Sequence, residues 1–110
     1  MNKYHNTKVV FDGIVFDSKK EKKRYYELQL LLRANEIRDL ELQVEYELQP
    51  AFKKNGITYR KITYIADFKY FDNKLNKWIV EDTKGFRTDV YKIKKKLFEY
   101  KYPELEIREI

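Results

Sequence analysis

Period-two alternation dominates this chain, broken twice by helical spacing. Over residues 8–18, apolar pairs flank Asp12-Gly13, the dipeptide of a tight two-residue turn, and predict a small β-hairpin. Ser18 followed by Glu21 is a capping-box spacing, and a helix is expected from about 19 to 35. Leu40, Leu42, Val44, Tyr46 and Leu48 then alternate with polar residues, which reads as a strand over 40–49, ended by Pro50. "KKNG" (53–56) is a turn signal, a long strand is expected from about 58 to 71, and "DNKLN" (72–76) turns the chain again. Residues 77–84 form the next strand and Gly85 stops it. Thr88 and Asp89 open a second helix that ends near Tyr102-Pro103, and "LEIREI" (105–110) is a short last strand. The order is β-hairpin, α, β, β, β, α, β, with no repeat, linker or low-complexity segment. A single α/β (α+β) domain over residues 1–110 is expected.

Composition narrows the chemistry. With 43% hydrophobic and 16% aromatic residues, the 110-residue chain can bury a core. Its 24 basic and 18 acidic residues leave a net charge of +6, which favours an anionic partner, nucleic acid before a membrane surface. There are no cysteines, so disulfides, thiolate zinc sites and thiol nucleophiles are excluded. His5 is the lone histidine and lies near the N-terminus, which argues against a Ser-His-Asp triad or a histidine-rich metal site. No apolar run approaches the roughly 20 residues of a membrane span, and no signal-peptide pattern opens the chain. An intracellular protein with no membrane partner is expected. Catalysis, if present, falls to carboxylates, Lys, Tyr and a metal bound through oxygen.

Two β-rich runs carry charge where core residues belong. In "YIADFKYF" (64–71) Asp67 interrupts the apolar pattern, and "KWIVEDTKG" (77–85) ends in Asp82 and Lys84. Residues two apart on a strand share a face, so Asp82 and Lys84 point one way with Val80, while Ile79, Glu81 and Thr83 point the other. A hairpin centred near Lys74–Leu75 sets Asp67 roughly opposite Asp82. Facing carboxylates repel unless a cation lies between them, and Mg²⁺ or Mn²⁺ would remove the conflict. On the first helix, Glu21 lines up with Tyr25, Leu28 and Leu32 and so faces inward. Glu21 as a helix cap and Glu21 as a site residue both remain open. For Asp67, Asp82 and Lys84 the competing reading is a solvated ion-pair network.

These residues resemble the PD-(D/E)xK nuclease signature. Asp67 on one strand, then Asp82-Thr83-Lys84 ending the next, resembles its D…DxK pattern, with Glu21 at the acidic position that many members carry on the preceding helix. The resemblance covers about residues 18–110. "FDSKKEKKRYYELQLLLRANEI", "LQVEYELQP", "YIADFKYF" and "IVEDTKG" are similar to a small phage-type nuclease-like family within the superfamily, to the endonuclease part of some transposases and to small Holliday-junction resolvases. Ala66 stands where proline precedes the first Asp of the motif. The resemblance implies a restriction-endonuclease-like αβββαβ core, a mixed central sheet flanked by helices, with the N-terminal hairpin added.

The activity so implied is metal-dependent hydrolysis of phosphodiester bonds in DNA, with branched or recombination DNA as a substrate. Asp67, Asp82 and the Thr83 carbonyl would ligate Mg²⁺ or Mn²⁺, and Glu21 would reach the ion through water or bind a second ion. Lys84 would orient or help deprotonate the attacking water and steady the developing negative charge. Lys92 and Lys96, bordering an apolar arc of Val90, Ile93, Leu97 and Tyr100, are the expected phosphate contacts. Arg87, Gln43 and Lys69 are further candidates for the nucleic-acid surface, with Arg60 and Lys61 extending it. A homodimer would supply two cuts. A cytoplasmic location follows, in a bacterial host cell if the protein is phage-encoded. The alternative is a nuclease-fold protein that binds nucleic acid without cutting it, or a phage regulatory protein whose charges only solubilise it.

Overall fold

The computed structural model describes residues 8–83 and 87–110. A hairpin of β1 (Val9–Phe11) and β2 (Ile14–Phe16) leads into helix α1 (Lys19–Arg33). Asp12 and Gly13 both have positive φ, as the tight turn requires. Ser18 caps α1, its hydroxyl accepting from the Glu21 N–H at 3.1 Å. Strand β3 (Ile37–Gln49) begins three residues before the alternation predicts. The expected 58–71 strand divides into β5 (Ile57–Tyr59) and β6 (Ile62–Asp72), and β5 pairs with β4 (Phe52–Lys54) as a second hairpin. Strand β7 (Lys77–Asp82), helix α2 (Asp89–Lys101) and strand β8 (Ile107–Glu109) complete the chain.

The central sheet is mixed, in the order β3-β6-β7-β8. β3, β6 and β7 are antiparallel neighbours, and β8 lies parallel to β7. Two apolar clusters fill the molecule. One gathers Phe16, Tyr25, Leu28, Ile37, Phe68, Tyr70 and Ile79 under α1. The other gathers Tyr46, Leu48, Tyr64, Ala66, Val80, Tyr91, Phe98 and Ile107 under α2.

The clusters divide the two long strands at one level. On β3, Leu40 and Leu42 pack with the α1 cluster, while Val44, Tyr46 and Leu48 join the α2 cluster. On β6, Phe68 and Tyr70 belong to the α1 cluster and Tyr64 and Ala66 to the α2 cluster. Regular alternation would keep each set on one side. The switch falls at Gln43 on β3 and at Asp67 on β6, and Gln43 has φ +54°, a left-handed conformation costly for a residue with a Cβ. β7 alternates regularly, with Ile79 in the α1 cluster and Val80 in the α2 cluster.

Helix α2 presents a different face to the sheet from its apolar arc. Tyr91 and Phe98 are buried, whereas Val90, Ile93, Leu97 and Tyr100 face solvent, Tyr100 at 88% exposure. The aromatic pair wins because its larger area is removed from water against Tyr46 and Tyr64.

Candidate functional site

Polar side chains from four elements meet at the level where β3 and β6 change faces. Glu21 enters from the first turn of α1 and is 4% exposed. Its Oε1 accepts from Gln43 Nε2 at 3.0 Å, so the positive-φ residue of β3 reaches the helix carboxylate. The pairs Leu42↔Phe68 and Val44↔Ala66 place Gln43 across from Asp67. Asp67 Oδ2 accepts twice from Thr83, from its N–H and from its Oγ1, both at 2.8 Å. The end of β7 is thereby clamped to the middle of β6.

The electrostatics follow from this crowding. Burial pushes the Glu21 carboxyl up from 4.5 to about 7, and the nearby charges of Asp67 and Asp17 push it the same way. Hydrogen bonds from the Asp17 backbone and Gln43 oppose the rise. Glu21 thus sits in the first turn of a capped helix with its carboxyl group buried. Its backbone is capped by Ser18, and its carboxyl group turns inward toward Asp67.

Asp82 lies on the α2 side and is 1% exposed. The pair Phe68↔Glu81 sets it across from Asp67. Its Oδ2 accepts from the Tyr64 hydroxyl at 2.6 Å. Burial, that bond and the negative charges of Asp82 and Asp67 hold the Tyr64 phenol far above its ordinary range. The Asp82 backbone carbonyl accepts from the Ile110 N–H at 2.9 Å, which ties the end of β8 to the site strand. Asp67 thus stands between two environments, its charge felt by Glu21 and by Tyr64. Among the described residues, no three acidic or histidine side chains cluster closely enough to enclose an ion by themselves.

The remaining candidates are dispersed. Lys84 lies outside the described residues. Arg87 pairs with Glu109 at 2.9 Å. Lys92 and Lys96 are exposed on α2, and with Arg87, Lys95, Glu99 and Glu109 they line a shallow cavity of about 310 Å³. Lys69 turns toward Glu41 at 3.9 Å and lies 4.7 Å from the centre of the Trp78 ring.

One buried group lies outside the expected site residues. Glu81 is fully buried and takes both arms of Arg24, Nε at 2.7 Å and a terminal nitrogen at 2.6 Å. The Tyr70 hydroxyl donates to the same carboxylate. This trio ties α1 to β7 one residue from Asp82. Its signal was available: Arg24 is three residues beyond Glu21 on the buried helix face, and Glu81 alternates with Ile79 on the side facing α1.

A family described as a protein of unknown function, DUF1064, matches residues 1–110. The chain belongs to the DUF1064 family. No curated protein and no solved structure matches it. The functional reading of this DUF1064 protein therefore rests on its own residues. Among those described, no helix is long and apolar enough to cross a membrane.

Proposed function

We propose that this DUF1064 protein is a metal-dependent DNA endonuclease of the PD-(D/E)xK type, with a restriction-endonuclease-like core. The observation that carries the reading is the meeting of Glu21, Gln43, Asp67 and Thr83 at the one level where both long strands change faces, with Asp82 across from Asp67. The order α1, β3, β6, β7, α2, β8 supports it, because it reproduces the αβββαβ order with a closing strand parallel to the third. The charge of +6 suits a polyanionic substrate.

The donors fit a hard divalent cation, Mg²⁺ or Mn²⁺. Glu21 and Asp67 are carboxylates close enough to raise the pKa of one, and among the described residues neither is paired with a cationic side chain. A cation held there relieves that repulsion. Glu21 and Asp67 would hold the ion, with Asp82 as a further ligand once its carboxylate leaves Tyr64. Such an ion, when bound, would supply acidification of a water molecule and polarisation of the phosphate. Thr83 occupies one oxygen of Asp67 and so fixes the direction of the other. Gln43 orients Glu21 from the opposite strand. Lys84, two residues beyond Asp82, is assigned to the attacking water.

A second reading has its own observation. Asp82 is buried against Tyr64, as in a protein that keeps the fold and binds nucleic acid without cutting it. One experiment separates the two. The protein is incubated with linear, supercoiled and four-way-junction DNA in Mg²⁺, Mn²⁺ or EDTA, beside Asp67→Asn and Asp82→Asn. Cleavage that needs the metal and is lost in both variants is expected. Binding with every strand left intact selects the second reading, and cleavage indifferent to Asp82→Asn rejects the assigned site.

A further inference from the structure

The β4–β5 hairpin takes no part in the core. Every residue from Gln49 to Ile62 is exposed, including all six residues of its two strands. The molecule is correspondingly elongated, 54 Å in its longest dimension. Asn55 and Gly56 both have positive φ (51° and 75°), giving a narrow two-residue tip whose twist matches the strands.

An isolated hairpin is marginal in water. This one is held by a cross-strand stack of Phe52 on Tyr59, with ring centres 4.7 Å apart and planes 9° from parallel. The pairs Phe52↔Tyr59 and Lys54↔Ile57 share one face. The opposite face carries Lys53 across from Thr58, and Arg60 two residues on. That face is rich in hydrogen-bond donors. From Leu48 to Ala66 the chain has four cations (Lys53, Lys54, Arg60 and Lys61) and no acid. Lys61 is partly engaged, lying 3.7 Å from Glu45.

We infer that the β4–β5 hairpin is an arm that enters the major groove of duplex DNA bound beside Glu21 and Asp67, with Lys53, Thr58 and Arg60 facing the groove. The major groove of B-DNA, about 12 Å wide, admits a two-stranded ribbon, and strands about 4.8 Å apart fit it with side chains attached. Ile57 lies ten positions before Asp67, which spans at most about 33 Å of extended chain. The arm therefore contacts DNA within about ten base pairs of the site at 3.4 Å per step. The inference rests on the reading of DNA as the bound partner and not on cutting.

The test measures binding of a 40-base-pair duplex in EDTA across a salt series, where no cleavage intrudes. Lys53→Ala/Arg60→Ala is compared with Lys74→Ala/Lys77→Ala, which removes the same charge from exposed positions at the other end of β6. Each variant's melting temperature is checked against wild type. The arm variant is expected to lower the slope of log affinity against log salt by about 2, while the control stays near wild type. It is also expected to lose dimethyl sulfate protection of guanine N7, a major-groove atom, at the positions that wild type protects. Equal slopes in the two variants, unchanged N7 protection, or the same loss on an RNA duplex, whose major groove excludes side chains, overturns the inference. So does a wild-type protein that ignores duplex DNA at low salt. Wild type that binds with the expected slopes yet never cuts in Mg²⁺ upholds the arm and refutes only the nuclease reading.

Discussion

Arg24→Met should expose how strongly the buried Glu81 depends on its partner. Glu81 is fully buried and accepts from two Arg24 nitrogens and the Tyr70 hydroxyl. Methionine keeps the length and apolar packing of the arginine stem but leaves Glu81 with Tyr70 alone. Breaking a buried ion pair on one side costs about 3–5 kcal/mol. The Arg24 side chain is 18% exposed, so water reaches the vacated site and the lower end applies. Unfolding entropy of about 2.1 cal/mol/K per residue over 110 residues converts 3 kcal/mol into a fall of about 13 °C in Tm. Thermal and urea unfolding followed by circular dichroism measure it. The double variant Arg24→Met/Glu81→Gln removes both charges, keeps an acceptor for the Tyr70 hydroxyl and should recover most of the loss, because no uncompensated charge is left buried. Arg24→Met melting within about 4 °C of wild type, or a double variant no more stable than the single one, would show that Glu81 does not depend on Arg24.

Glu21 makes stability depend on pH. Its carboxyl titrates near 7 in the folded chain against 4.5 ordinarily, so folding takes up a proton between those values. Its contribution is complete below about pH 4.5 and is lost as pH rises through 7, by at most about 3 kcal/mol. Glu21→Gln should flatten urea-denaturation stability across that window, and an unchanged slope would contradict the assignment. Thr83→Val deletes one of two bonds to Asp67 Oδ2, costing about 1 kcal/mol of stability and, under the proposed nuclease activity, about tenfold in cleavage rate; an unaltered rate removes Thr83 from the proposed site. Gln43→Gly relieves a positive φ while losing the bond to Glu21, so its net effect should stay within about 1 kcal/mol. Gln43→Val, β-branched at φ +54°, should cost about 1–3 kcal/mol more, and equal stability of the two variants refutes the strain.

The elements of this fold are local, and the sequence alone placed most of them. Turn chemistry at Asp12-Gly13, the Ser18 and Thr88 caps and the alternation along β3, β6 and β7 depend on neighbours in the chain. The inward turn of Glu21 follows from helical spacing alone. What tertiary structure decided is which side of the sheet each residue meets. Leu40 to Leu48 keep perfect alternation, yet the chain turns over at Gln43, because α1 and α2 lie under different halves of the same strands. Periodicity reports the spacing of apolar residues and carries no sign for such a reversal. The arc of Val90, Ile93, Leu97 and Tyr100 was as regular as the face that α2 actually buries. Only the aromatic side chains waiting on β3 and β6 selected Tyr91 and Phe98. The pairing of Arg24 with Glu81 is of the same kind, since 57 residues separate the partners and the desolvation that makes their bond matter exists only in the folded core.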